Sequence, residues 1–282
     1  MNTPTTSPRP DRSLPSPTAA WISASSWAIA TLTIGVFLWL DTFHLDLFRS
    51  LAGDWTGYPR IAALAVVGYG AQLVVPILVA AALFGPHRAL DSLGMNRSLL
   101  TALAFAVACT FILPVGYAMI APFAPPHDLP AVALRSSLLP GIAEEVLYRA
   151  FLFGFLFRFA GWGFLPAALL GATVFGAAHL YQGEALADSA AIFAITGLGA
   201  VWFAWLYVEW NYNVWVPIAF HVLMNLHWEL FAIADTAQGP AAAILLRLAA
   251  IVISVLITVC LARRRGRRLR IGGTSWLRRG PR

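Results

Sequence analysis

From Leu138 to Phe159 the chain reads LLPGIAEEVLYRAFLFGFLFRF. The run is long enough to cross a bilayer, which takes about 20 apolar residues in a helix. Yet it carries Glu144 and Glu145 side by side, followed by Arg149. Two adjacent carboxylates in an apolar helix have no solvent face to occupy. Glu145 and Arg149 are spaced i,i+4 with the acid N-terminal, the favourable orientation for a helical ion pair. Glu144 is rotated by about 100° from Glu145, has no partner on its own helix, and must face another polar group or a water-filled cavity. Pro140 suits a first helical turn, which predicts Glu144 close to a helix N-terminus.

Seven further apolar segments surround this one: Trp21–Leu40, Ile61–Phe84, Leu99–Pro122, Phe164–Leu180, Ala187–Val208, Val214–Ala234 and Ala241–Ala262. Turn residues separate them, among them Gly85-Pro86, Pro125-Pro126, Gly161 to Gly163, Asn211 to Asn213 and Gly239-Pro240. The whole chain of 282 residues is 59% hydrophobic and 11% charged, with a mean hydropathy of +0.73. A soluble domain is about 45–50% apolar and about 25% charged, so the composition excludes one. Two cysteines exclude a disulfide-stapled scaffold. The expected fold is all-α, a polytopic membrane protein of about eight transmembrane helices over residues 21–262, with a functional core over about 138–230.

Residues 1–20, rich in Pro, Ser and Thr, predict a disordered N-terminal tail without the apolar core of a removed leader. Residues 263–282 form a basic tail. All 19 basic residues are Arg, and nine lie from Arg263 to Arg282. A cluster of this kind directly after an apolar span reads as a cytoplasmic anchor facing the lipid bilayer rather than as a nucleic-acid site. Eight spans then put both termini in the cytoplasm. The loops agree: Arg88, Arg97 and Arg158 fall on the cytoplasmic side, Arg49 and Arg60 on the other, together with Asp41, Asp46, Asp54, Asp128, Glu184, Asp188 and Asp235.

An ionisable group inside the membrane marks a functional candidate. Besides the Glu144 region, such groups concentrate in two segments. Phe175-Gly-Ala-Ala-His179 ends one, and its small residues let a neighbouring backbone approach closely. His221-Val-Leu-Met-Asn225 lies in another, with imidazole and amide on one helical face. Arg247 is expected to snorkel at the outer end of the last span. Glu144 and His179 fall toward the outer side and His221 near mid-depth, so the groups can converge on a site opening outward.

A carboxylate, two imidazoles and a carboxamide are the parts needed to hydrolyse an amide without a covalent intermediate. A carboxylate and one His deprotonate a water, while the other His and the Asn donate hydrogen bonds to the oxyanion. Nucleophilic alternatives are poorer: Cys109 and Cys260 have no nearby His, and Ser136 and Ser137 lack a Gly-x-Ser-x-Gly setting. Glu plus two His is also a zinc ligand set, although no His-Glu-x-x-His occurs.

Glu-Glu-x-x-x-Arg at Glu144–Arg149, Phe-x-x-x-His at Phe175–His179 and His-x-x-x-Asn at His221–Asn225, in order and in separate apolar segments, resemble the CPBP family of CAAX prenyl endopeptidases and bacteriocin-processing proteins. Ser92-Leu-Gly-Met95 is similar to a short segment found upstream in that family. The resemblance implies a glutamic intramembrane protease without cofactor or metal, acting on a peptide or membrane-anchored protein. Carried over by motif, Glu144 and His179 activate water, His221 and Asn225 form the oxyanion hole, and Glu145 and Arg149 support them. An Arg-only, compact chain suggests a prokaryotic cell (inner) membrane, and a site opening outward favours, as substrates, exported proteins with C-terminal anchors or sorting tails. Two other readings use the same residues: a zinc-dependent membrane protease, and a non-catalytic scaffold or immunity protein.

Overall fold

The computed structural model describes residues 19–278; the N-terminal tail expected over residues 1–20 falls almost wholly outside them, as do the last four residues. Among the described residues the chain is helical, and the one β contact is an isolated bridge between Trp162 and Arg278. Nine helical rods follow in order. They are α1 Ala19–Ala52, α2 Gly57–Phe84, α3 Pro86–Leu93, α4 Leu99–Tyr117, α5 over residues 129–158, α6 Phe164–Ala177, α7 Leu186–Glu209, α8 Trp215–Leu230 and α9 Ala241–Arg264. Helices satisfy every backbone group internally, which a hydrocarbon solvent demands.

Six segments, α1, α2, α4, α6 together with the turn that continues it to Gln182, α7 and α9, are long and apolar enough to cross a membrane. Their outer faces expose Leu38, Val66, Leu78, Leu100, Phe111, Leu169, Leu198 and Leu256, a surface that water would not tolerate. The two other segments in the expected eight differ for separate reasons. The α5 rod carries Arg135, Glu144, Glu145, Arg149 and Arg158. The α8 rod has 16 residues, about 24 Å of helix against a hydrocarbon thickness of about 30 Å.

These two exceptions form the centre of the molecule. From Glu145 to Phe157 every residue of α5 is buried, which explains why that stretch has no polar face. Its core contains Phe151, Phe153, Phe155 and Leu156, packed against α1, α2, α6 and α7. The approach of α8 to α5 is set by Gly141, where a Cβ would come within 2.5 Å of Val222. Likewise Gly176 on α6 lets Phe193 of α7 close in, where a Cβ would lie 2.8 Å from the ring.

Three expectations are corrected. Asp41 lies inside α1 rather than in a loop, because no glycine or proline interrupts the chain between Gly35 and Gly53. Pro140 does not open a helix: α5 starts at Leu129, capped by Asp128 accepting from Ala131 N–H at 3.2 Å. Glu144 therefore sits about 22 Å along a continuous rod. Arg247 does not snorkel; it stacks 3.5 Å over the Trp228 ring and donates to the Ala237 carbonyl at 2.6 Å.

Candidate active site

The proline at 140 leaves a mark on the site. It has no N–H to send to the Ser136 carbonyl four residues back, and the chain around it takes the wider π-helical form over Ala133–Leu138. The freed Ser136 carbonyl accepts from Asn225 Nδ2 at 3.0 Å. The carboxamide of α8 thus bridges to the broken turn of α5, and its second N–H is left for another acceptor.

One turn further along, α5 is π-helical again over Glu145–Phe153, an arrangement frequent at functional sites. Glu145 is 0% and Arg149 3% exposed in their side chains, and they form the expected ion pair at 3.0 Å. The N–H of Arg149 is not aligned for a hydrogen bond there, so the contact is electrostatic. The guanidinium instead stacks over Phe175 of α6 at 4.3 Å and approaches Phe203 of α7 at 5.5 Å. Aromatic faces compensate a desolvated cation in this way.

The other oxygen of Glu145 faces α8, where His221 Nδ1 lies 2.8 Å from Oε1. The i,i+4 spacing predicts the Arg149 partner of Glu145; the His221 partner has no such signal, because only packing at Gly141 brings the two helices together. A carboxylate only accepts, so Nδ1 of His221 carries the proton, and Nε2 donates as well only when the ring is an imidazolium.

His179 follows the last turn of α6. Its Nδ1 lies 2.7 Å from the Phe175 carbonyl, four residues back, and its ring is 4.5 Å from that of Phe175. The carbonyl again assigns the proton to Nδ1, leaving the Nε2 lone pair of the neutral ring available as a base. Phe175 thus carries Arg149 on its ring and holds His179 by its backbone.

Glu144 is half-buried on a different side of α5 from Glu145. Tyr69 of α2 and Tyr148, one turn along its own helix, lie within electrostatic range of it, and Tyr181, two residues past His179, lies within range of Tyr69. Tyr148 donates its hydroxyl to Asp41 of α1 at 2.8 Å, and its ring meets Phe175 edge-on at 5.0 Å. Tyr148 could have been noticed from its i,i+4 spacing to Glu144. Tyr69 and Asp41 had no sequence signal.

The three motifs are therefore joined: Glu145 touches Arg149 and His221, Arg149 touches Phe175, and Phe175 holds His179. Of the other candidates, Cys109 is buried in apolar surroundings and Cys260 is exposed on α9. Among the described residues no three His, Cys, Asp or Glu side chains gather as ligands for a metal ion.

Residues 126–227 match the family model described as type II CAAX prenyl endopeptidase Rce1-like. All seven motif residues, from Glu144 to Asn225, lie inside that segment. A curated relative, "Putative membrane peptidase YdiL" of Bacillus subtilis (strain 168), is 32% identical over 97 residues. That alignment covers 34% of this chain and 35% of the relative, so the chain spans about a third of the relative's length. No solved structure matches. The two findings support the CPBP (CAAX protease) family.

Proposed function

We propose that this chain, of the CPBP (CAAX protease) family by its central segment, is a glutamic intramembrane endopeptidase. The observation that carries the reading is the connected network in which Glu145 and Arg149 tie the three motif segments together inside an apolar bundle. A buried pair of charges is weak as a source of stability; its use here is positional, Glu145 holding Nδ1–H of His221 and Arg149 stacking on Phe175, whose carbonyl holds His179.

In the proposed reaction Glu144 and Nε2 of His179 take a proton from water, whose oxygen attacks the scissile carbonyl carbon. The carbonyl π electrons move to oxygen, and the oxyanion accepts hydrogen bonds from the free Nδ2 hydrogen of Asn225 and from Nε2–H of His221. The latter donation uses the doubly protonated ring, whose Nδ1–H is held by the Glu145 carboxylate at 2.8 Å. Collapse of the intermediate breaks the C–N bond, and the departing nitrogen takes the proton held by Glu144 or His179. Tyr69 and Tyr148 put phenol groups within electrostatic range of Glu144, and Asp41 fixes the second of them.

The substrate is a peptide or membrane-anchored protein. The Arg-rich end of α9 and the arginine distribution support cytoplasmic termini in a prokaryotic cell membrane, with a site reached from the outer half and C-terminal anchors or sorting tails as targets. The test compares protein termini of cells carrying wild type and Glu144→Gln at matched expression. A terminus that appears only with wild type identifies activity and substrate together. Identical termini, with the wild-type phenotype kept by the mutant, would leave a non-catalytic scaffold.

A further inference from the structure

The arginines that follow α9 do not simply trail away. The helix ends in a Schellman turn: Gly266 takes a left-handed φ of 63°, Arg267 N–H reaches the Ala262 carbonyl at 2.9 Å, and Gly266 N–H reaches Arg263 O at 3.0 Å. The reversal brings Arg267 and Arg268 back beside Arg263. The returning segment is then pinned, because Glu209 accepts Arg270 N–H at 3.0 Å and Ile271 N–H at 2.9 Å, and Ile271 is buried.

Between the helix end and this segment lies a cavity of about 690 Å³, lined by Arg263, Arg267 and Arg268 and by Val259, Ala262, Leu269 and Ile271. None of its three arginines has a carboxylate partner among the described residues. The exposed side chains of Val252 and Leu256 lead along one face of α9 to Val259 and Arg263, an apolar track that ends at the cationic rim.

We infer that this cavity is a binding site for the phosphate headgroup of an anionic phospholipid, whose acyl chain lies along Val252 and Leu256. A free phosphate would use the three guanidiniums but not the track. A basic tail attracting anionic lipid diffusely would need neither the Schellman turn nor the Glu209 clamp.

Native mass spectrometry of the purified full chain, titrated with phosphatidylglycerol or phosphatidylcholine, tests the assignment. Wild type binds phosphatidylglycerol in preference to phosphatidylcholine. Arg267→Gln/Arg268→Gln weakens that binding about tenfold or more, while Arg264→Gln/Arg265→Gln, equal in charge but outside the cavity lining, leaves it within about twofold. Equal loss in both variants, or equal binding of both lipids, overturns the site. Displacement of phosphatidylglycerol by inorganic phosphate at matched concentration overturns the lipid assignment in favour of a soluble anion. Should the first variant not fold, hydrogen exchange on wild type decides: phosphatidylglycerol slows the amides of residues 265–272 and phosphatidylcholine does not, and no slowing overturns the proposal.

Discussion

His221 Nδ1 and Glu145 Oε1 are 2.8 Å apart across 76 residues of chain, in a contact that is 0% exposed at the carboxylate and 12% at the imidazole. The same carboxylate holds Arg149 at 3.0 Å. One buried carboxylate thus serves two partners, the Arg149 guanidinium on its own helix and the His221 imidazole on α8.

Removing one member of that trio strands the others. Arg149→Met is expected to destabilise the protein by about 3–5 kcal/mol, the cost of an uncompensated buried charge. Adding Glu145→Gln returns much of that stability by neutralising the remaining anion, yet proteolysis stays lost because His221 has no carboxylate to hold it. Thermal unfolding in detergent and cleavage assays on the two variants separate these effects; recovery of activity in the double variant would show that Glu145 has no positioning role.

Glu144 makes no ion pair among the described residues, so Glu144→Gln should leave the unfolding temperature within a few degrees of wild type. Cleavage is expected to fall by about 10²–10⁴-fold, the usual contribution of a positioned general base. His179→Gln should behave alike, and the two losses together should be far from additive if the groups act on one water. Matched unfolding and turnover measurements check this.

Asn225 and Pro140 are linked through the Ser136 carbonyl. Asn225→Ala orphans that carbonyl and is expected to cost about 1–3 kcal/mol. In a Pro140→Ala background, where residue 140 regains an N–H, the stability cost of Asn225→Ala should shrink while the loss of activity persists. A double-mutant cycle read by both stability and turnover distinguishes the structural hydrogen bond from the oxyanion role.

Gly141→Ala puts a methyl group into the Val222 side chain. Overpacking of this kind costs about 1–3 kcal/mol, and it would push α8 from α5 at the level where His221 meets Glu145. Activity is expected to fall further than stability alone explains, and Val222→Ala in the same chain should restore part of it.

Orientation is open to labelling. In a Cys260→Ser background, Thr274→Cys should react with a membrane-impermeant maleimide only after cells are opened, and Glu184→Cys before. The reverse pattern would invert the proposed topology.

Much of this architecture was legible in the chain itself. Low charge and long apolar runs required helices in a membrane, since hydrocarbon offers no partner for an unpaired backbone group. The i,i+4 rule placed Arg149 beside Glu145 because a helix brings those positions together whatever surrounds it. The three motifs also marked the polar groups that the structure joins through Glu145, Arg149 and Phe175. Local rules erred where they depended on the neighbours: Pro140 looked like a helix start but is absorbed by a π-helical turn and the amide of Asn225, and Arg247 found an aromatic face instead of the interface.

What tertiary packing decided was which polar groups meet. Whether His221 would face Glu145, Glu144 or water follows from how closely α8 approaches α5 at Gly141, a contact between segments far apart in the chain. The same holds for Tyr69 within electrostatic range of Glu144, for Asp41 on Tyr148, and for the turn at Gly266 that folds a run of arginines around a cavity. Spacing along a helix specifies the direction of a side chain; only the packed neighbours specify its partner.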